Sequence, residues 1–178
     1  SDLRNCFIFV IAFAGIMRSH EIINIKRSQI SILPDHMSIF CPFRKNDQHH
    51  QGYLLDQTDI MPVSVTEKLL TKLPVHPDQH LVCRLSSSGS PLLSAIAYSR
   101  VRATFRATLS LFVEDSYNYG THSLRRGGAS AVSAAGISGE LLNKYAGSKS
   151  VKSKNGYKAH AIANDRLNKL KVSRAINL

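Results

Sequence analysis

Hydrophobic residues recur along this chain mainly at helical spacing, and one early stretch shows short, turn-bounded runs typical of strands. Residues 3–14 are apolar on most sides, which predicts a buried central helix. Ser19 can cap a second helix that runs to about Lys26, with Glu21 in its first turn. Three short strands are predicted next, over 28–33, 36–43 and 52–56, with turns at 34–35 and 46–52.

The rest of the chain is predicted to be helical, apart from one long loop. Ser64 can cap a helix over about 65–73, and the Pro-, Ser- and Gly-rich residues 74–93 form the loop around a short apolar piece. Further helices are predicted over about 94–109, 122–135, 138–145, 150–158 and 160–171. We therefore expect a mostly helical α+β domain with a small three-stranded antiparallel sheet on one edge.

The strongly basic composition changes this picture, because it indicates a polyanionic partner. The 178 residues suit one domain, and 23 Lys and Arg against 12 Asp and Glu give a formal charge of +11. A basic excess of this size predicts nucleic acid as the partner. The alternative is a basic surface that serves only solubility.

Composition argues against a metal site, a disulfide framework and a membrane span. Cys6, Cys41 and Cys83 are widely spaced and lack a Cys-x-x-Cys pairing. The eight histidines show no ligand spacing on one predicted element. The apolar run at 7–16 is too short to cross a bilayer. We therefore expect no metal, no membrane partner and a reducing compartment, with Cys6 and Cys41 as core residues.

The candidate chemistry lies in the segment 121–128, Thr-His-Ser-Leu-Arg-Arg-Gly-Gly, and in Tyr157 downstream of it. His122 and Arg125 are three residues apart and share one face of a helix. Histidine can move a proton near neutral pH, and arginine can bind two oxygens of a phosphate at once. A tyrosine hydroxyl can attack phosphorus. These groups together predict metal-free cleavage of a phosphodiester.

Two basic residues upstream extend the pattern. Arg18 lies between two apolar segments, and Lys45 lies at the tip of the predicted hairpin, in Phe-Arg-Lys-Asn-Asp-Gln. The order Arg18, Lys45, His122, Arg125, Tyr157 resembles the catalytic domain of the tyrosine recombinase (phage-integrase-like) family. The resemblance runs from about residue 3 to the C-terminus.

Three segments are similar to a narrower group within that family. The segments 122–130, 153–157 and 172–178 look like the integrases of DIRS-type and Ngaro-type retrotransposons. Cryptons, which are related cut-and-paste elements, have similar sequence motifs. This narrower resemblance implies DNA integration for a transposable element, and it implies action in the nucleus.

The family resemblance implies cleavage of one DNA strand without metal, ATP or another cofactor. Arg18 and Arg125 would each bind a non-bridging oxygen of the scissile phosphate, and His122 would hold or shuttle a proton there. Lys45 would protonate the departing 5′ oxygen. Tyr157 would be the nucleophile, and its attack would leave a 3′-phosphotyrosine and a free 5′ hydroxyl.

One position departs from the family pattern. The family usually carries His or Trp about nine residues before the nucleophile, where this chain has Ser148. A serine donates one hydrogen bond but cannot fill the volume of an indole, so this contact is expected to be weaker. Lys149 could partly replace the missing donor.

Several further residues are expected to contact DNA phosphates or to serve close packing. The DNA contacts are predicted to be Arg44, Arg100, Arg102, Arg106, Arg126 and Lys149. Arg44 is also the alternative to Lys45 as general acid. Gly127 and Gly128 are poor helix formers, so their expected use is close packing against a neighbouring helix.

The resemblance also implies how the chain would work in an assembly. It would act on double-stranded DNA as a homotetramer on paired sites, with residues 1–178 as the catalytic domain and the family's N-terminal core-binding domain absent from this chain. The C-terminal segment 158–178 would dock on a neighbouring protomer or fold onto its own domain. Two other functions stay open: a non-enzymatic DNA-binding descendant, motivated by Ser148, and a type IB topoisomerase-like enzyme.

Overall fold

A computed structural model of the chain describes residues 3–42, 52–58 and 60–146. It contains helices and strands in the predicted mixture. The helices are α1 (Leu3–Ala14), α2 (Ser19–Ile23), α3 (Ile60–Lys72), α4 (Tyr98–Leu109), α5 (Thr121–Ala134) and α6 (Gly139–Ala146). The strands are β1 (Ile30–Ile32), β2 (Met37–Cys41), β3 (Tyr53–Gln57), β4 (Cys83–Leu85) and β5 (Pro91–Ala95). The predicted α+β fold with a three-stranded antiparallel sheet is confirmed.

Helix α1 lies at the centre of the domain, as its apolar character predicts. It packs against α3, α4 and α5. Phe7, Ile8 and Ile11 are fully buried, so α1 forms the middle of the hydrophobic core. Tyr145 at the end of α6 is also buried, where its hydroxyl accepts a hydrogen bond from Gln57 at 2.7 Å.

The three-stranded sheet has the order β1-β2-β3, with both pairs antiparallel. Ile39 pairs with Ile30 on one side and with Leu55 on the other, and all three are buried. The neighbouring pair of Phe40 and Leu54 is exposed. The alternation therefore fixes which sheet face meets the core. The predicted hairpin tip at 46–51 lies outside the described residues.

Several predicted boundaries are wrong. Helix α2 ends at Ile23 rather than near Lys26, and its N-cap is Arg18 rather than Ser19. Helix α3 begins at Ile60 rather than after Ser64, because Pro62 is tolerated in a first helical turn. Residues 83–95 contain the β4–β5 hairpin instead of loop, and Gly89 has the positive φ of 83° that its turn needs. Helix α4 consequently begins at Tyr98, not Ser94. The predicted helices at 150–158 and 160–171 lie outside the described residues.

Within the part of the chain that the structure describes, no helix has the length and apolar character needed to cross a membrane. The same residues hold no group of three His, Cys, Asp or Glu side chains placed to bind a metal ion. Cys41 and Cys83 are buried, whereas Cys6 is only partly buried.

Candidate active site

Arg18 lies where the chain leaves α1 and enters α2. It is the N-cap residue of α2, with extended backbone at φ −79° and ψ 141°. The Glu21 carboxylate accepts one hydrogen bond from the Arg18 backbone N–H at 2.8 Å and another from Arg18 Nη1 at 2.9 Å. The Arg18 side chain remains 25% exposed, so Glu21 holds it while part of it faces solvent.

Arg125 reaches the same place from α5, and it is buried. Its Nη1 donates to the Ile16 carbonyl at 2.5 Å, and its Nη2 donates to the Ala146 carbonyl at 2.6 Å. The Glu21 carboxylate lies 4.0 Å from Nη1. The guanidinium therefore ties together the link after α1, the helix α5 and the end of α6.

Glu21 is the residue of this site that sequence reasoning missed. Its side chain is 5% exposed, and it forms ion pairs with both Arg18 and Arg125. Its position three residues after Arg18 at a helix start was a usable signal for the first contact. The second contact joins positions 104 residues apart, and no local pattern indicates it. The carboxylate offsets the repulsion between two cations that would otherwise face each other.

The backbone beside the two arginines is strained. Ile16 has a φ of 50°, which is the left-handed region that β-branched residues rarely adopt. Its side chain is fully buried, and its carbonyl is the acceptor for Arg125. The surrounding core holds this conformation, which turns the carbonyl toward Arg125 two residues before Arg18.

Glycine allows α5 to lie directly against α1, as the sequence predicts. A Cβ added at Gly128 would come within 2.0 Å of the Phe13 carbonyl oxygen, so no larger residue fits there. At Gly127 the added atom would meet the Phe13 ring at 3.2 Å. The close approach at Gly128 holds Arg125, one turn earlier, beside the link that contains Ile16 and Arg18.

His122 lies in the first turn of α5, and its side chain is exposed. Partial burial lowers the pKa of His122 below its ordinary value, and the positive charges of Arg125, Arg18 and Arg126 lower it further. The lowered pKa favours the neutral imidazole, which can accept a proton. The same charges show that His122 belongs to the cationic cluster around Arg18 and Arg125.

The other predicted basic residues on α4 and α5 divide into two groups. Arg100, Arg102 and Arg126 are exposed. Arg106 is partly buried, and it donates to two backbone carbonyls, from Nε to Tyr119 at 3.2 Å and from Nη2 to Tyr117 at 2.8 Å. Contact with DNA stays a prediction for all four, and Arg106 has a structural role that the sequence did not indicate.

Several predicted site residues lie outside the described residues: Arg44, Lys45, Ser148, Lys149 and Tyr157. The strand that leads to Lys45 is described. It ends at Cys41, and Cys41 and Pro42 line a cavity of about 570 Å³ that Glu21 also lines. The end of β2 therefore lies on the same cavity as Glu21.

No protein-family model and no curated protein sequence matches the chain. Solved structures do. The XerH site-specific recombinase bound to difH substrate, in a pre-cleavage complex, is similar at a TM-score of 0.63 and 18% identity, over 99% of this chain and 43% of that chain. Its post-cleavage complex on palindromic difH gives 0.61 and 19%, over 83% and 40%.

A complex of Flpe with a DNA Holliday junction is similar at a TM-score of 0.59 and 16% identity, over 97% of this chain and 45% of that chain. The chain thus spans less than half the length of each of these three structures. Identities below one fifth establish the fold and leave the activity to be argued from the site. The described residues of this chain have the fold of a tyrosine recombinase catalytic domain.

Proposed function

We propose that this chain is the catalytic domain of a tyrosine recombinase, an enzyme that cleaves and rejoins DNA strands. The observation that carries the proposal is the convergence of Arg18 and Arg125 on one buried carboxylate, Glu21. The fold and the net charge of +11 support it.

The arginine pair suits a phosphodiester. When a nucleophile attacks phosphorus, negative charge grows on the two non-bridging oxygens, and donors already in place stabilise that charge most. Arg125 is held by two carbonyls and Arg18 by Glu21, so neither needs to be ordered when DNA arrives. Arg18, which is partly exposed, would bind first.

Strand cleavage would use Tyr157, His122 and Lys45. The Tyr157 oxygen attacks phosphorus, and the bond from phosphorus to the 5′ oxygen breaks. Neutral His122 takes up or relays the tyrosine proton, and Lys45 gives a proton to the departing 5′ oxygen. The product is a 3′-phosphotyrosine with a free 5′ hydroxyl. The phosphotyrosine conserves the energy of the broken bond, so rejoining requires neither ATP nor a metal.

The narrower proposal is an integrase of a DIRS-type or Ngaro-type element that acts in the nucleus. It rests on the amino-acid sequences of segments 122–130, 153–157 and 172–178. Strand exchange needs four cleavages, two on each duplex, so a homotetramer on paired double-stranded sites is the assembly that we expect. Arg100, Arg102 and Arg126 would contact DNA phosphates from exposed positions.

The test is covalent capture. The protein is incubated with a pool of nicked duplexes of random sequence, in which the cut strand loses its short 5′-hydroxyl fragment and cannot be rejoined. Adducts that survive denaturation are separated by gel, and their DNA is sequenced. We expect an adduct with the parent protein and none with Tyr157→Phe, which differs by one oxygen.

Two other outcomes would indicate a different function, and a third would contradict the proposal. DNA that is retarded in native gels without any adduct indicates the non-enzymatic descendant, in which Ser148 marks lost activity. An adduct together with relaxation of supercoiled plasmid by monomers, without pairing of two sites, indicates the type IB topoisomerase-like enzyme. No retarded DNA and no adduct would contradict the proposal as a whole.

A further inference from the structure

The two functional groups of α5 are held in different ways. Arg125 is fixed by its own hydrogen bonds to Ile16 and Ala146 and by the close contact at Gly128. His122, one turn earlier, is exposed. Its position therefore depends on what holds the start of α5.

The segment that leads into α5 has little hydrophobic support. Leu111, Phe112 and Tyr117 are 77%, 79% and 66% exposed, so burial does not fix this stretch. A short 3-10 helix (Ser116–Asn118) and Tyr119 connect it to Gly120, which precedes the helix. Hydrogen bonds must supply the order that packing does not.

Helix α4 supplies those hydrogen bonds at two points. Arg106 donates from Nε and Nη2 to the carbonyls of Tyr119 and Tyr117, which uses the fixed fork of the guanidinium. The Tyr98 hydroxyl lies 3.1 Å from Thr121 Oγ1, at the first residue of α5. Residues 98 and 106 are separated by about 12 Å along the helix, so the two contacts bracket the entry to α5.

Helix α4 is itself a firm base. Val101 and Phe105 are buried, and the Phe105 ring packs edge-on against Phe9 of α1 at 5.4 Å between centroids. The path of contacts thus runs from the core helix through α4 and Arg106 to the segment before His122.

We propose that Arg106 is a positioning residue that fixes His122 for proton transfer by clamping the Tyr117 and Tyr119 carbonyls. This inference rests on the proposed function, because it assigns Arg106 to the chemical step rather than to DNA contact. It gives the Tyr98–Thr121 contact the same task at the other end of α4.

The first test is a double-mutant cycle in cleavage. The rate of adduct formation is measured at saturating DNA for Arg106→Gln, His122→Ala and the double variant, with Arg102→Gln as the matched loss of charge on the same helix. We expect Arg106→Gln to slow the step about 10-fold, in the range of a weakened acid–base contact, and to have no further effect once His122 is alanine. Arg102→Gln should weaken DNA binding, and any change that it makes in the rate should be the same in the presence and absence of His122.

The Arg106→Lys variant separates the effect of the charge from that of the two-point hydrogen bonding of the guanidinium. A lysine keeps the charge but has no fork, so it should not restore the rate at saturating DNA, although it should keep DNA affinity. Full rescue by lysine, or equal losses from Arg106→Gln in the presence and absence of His122, would overturn the proposal and assign Arg106 to DNA contact.

A second measurement needs no cleavage, so it separates this inference from the proposed function. The His122 ring is titrated by NMR in the parent protein, in Arg106→Gln and in Arg102→Gln. If the clamp positions His122, its loss moves the ring away from Arg18, Arg125 and Arg126, and the midpoint rises toward the ordinary histidine value only in Arg106→Gln. Equal midpoints in the two variants would overturn the proposal even for an inactive protein.

Discussion

Helix α5 is held by tight packing at Gly128 and by polar contacts at its start, near His122. At Gly128 the helix touches the backbone of α1, and Arg125 beside it is buried and bonded to two carbonyls. At His122 the helix is exposed, and polar contacts from α4 hold its entry. Under the proposed function this difference separates two tasks: Arg125, which would stabilise charge on the phosphate, is immobilised, and His122, which would exchange a proton, keeps access to solvent.

The largest expected effect comes from separating α5 from α1 at Gly128. Gly128→Ala places a methyl group within 2.0 Å of the Phe13 carbonyl, so α5 must move away from α1. We expect the free energy of unfolding to fall by more than about 3 kcal/mol, at the upper end of overpacking costs. Denaturant unfolding followed by circular dichroism measures it.

Gly127→Ala is the matched control for that substitution. The added atom meets only the edge of the Phe13 ring, at 3.2 Å, and alanine is the better helix former by about 1 kcal/mol. Its unfolding free energy should stay within about 1 kcal/mol of the parent value. Equal losses for the two alanines would show that the α1–α5 contact is not close at Gly128.

A smaller effect is expected from the shared carboxylate. Glu21→Gln keeps the size of the side chain and removes the charge that lies between Arg18 and Arg125. Hydrogen bonds to charged groups contribute about 1.5–3 kcal/mol, so we expect a loss of about 2 kcal/mol in unfolding free energy. Glu67→Gln, at an exposed position of α3, should change it by less than about 0.5 kcal/mol. Indistinguishable values for the two variants would remove Glu21 from the support of the site.

The smallest expected effect is on the pH dependence of the unfolding free energy, and it arises at His122. Because the folded protein lowers the pKa of His122 below 6.5, the unfolded chain binds a proton that the folded chain does not, between the two values. Unfolding free energy from this group should therefore decrease as pH falls below 6.5, and level off below the folded pKa. His122→Asn should remove that pH dependence, measured as the difference between parent and variant from pH 8 to 5. A difference that does not vary with pH would contradict the cationic surroundings of His122.

Sequence patterns predicted the parts of this molecule that local physics determines. The apolar character of α1 identified the central helix, and the poor helix formers at 127 and 128 identified the close approach. The role of Glu21 required knowing that Arg125, far away in sequence, reaches the start of α2. The β4–β5 hairpin was missed because Leu93 and its neighbours are exposed, so strand alternation is absent there.

The clamp by Arg106 could not have been predicted from its position on a basic helix. Three arginines follow one another along α4, and the sequence gives all three the same expected role. Only the fold brings the carbonyls of Tyr117 and Tyr119 to one of them. Positively charged helices predict a polyanionic partner in general, but the task of each arginine depends on the backbone that it meets.

The proposed phosphodiester site at Arg18 and Arg125 can be tested by changing the charge of the scissile phosphate. Arg18→Ala is compared with the parent protein on a nicked duplex of the captured sequence, with the scissile phosphate either intact or replaced by an uncharged methylphosphonate. Arg18 is partly exposed, so its loss is expected to leave the fold in place.

We expect Arg18→Ala to slow adduct formation on the phosphate by about 10²–10³-fold, because one donor to the developing charge is lost. On the methylphosphonate the loss should be much smaller, since a neutral group has one charge fewer to stabilise. The same loss on both substrates would show that Arg18 does not act on the phosphate charge, and it would contradict a phosphodiester site at Arg18 and Arg125.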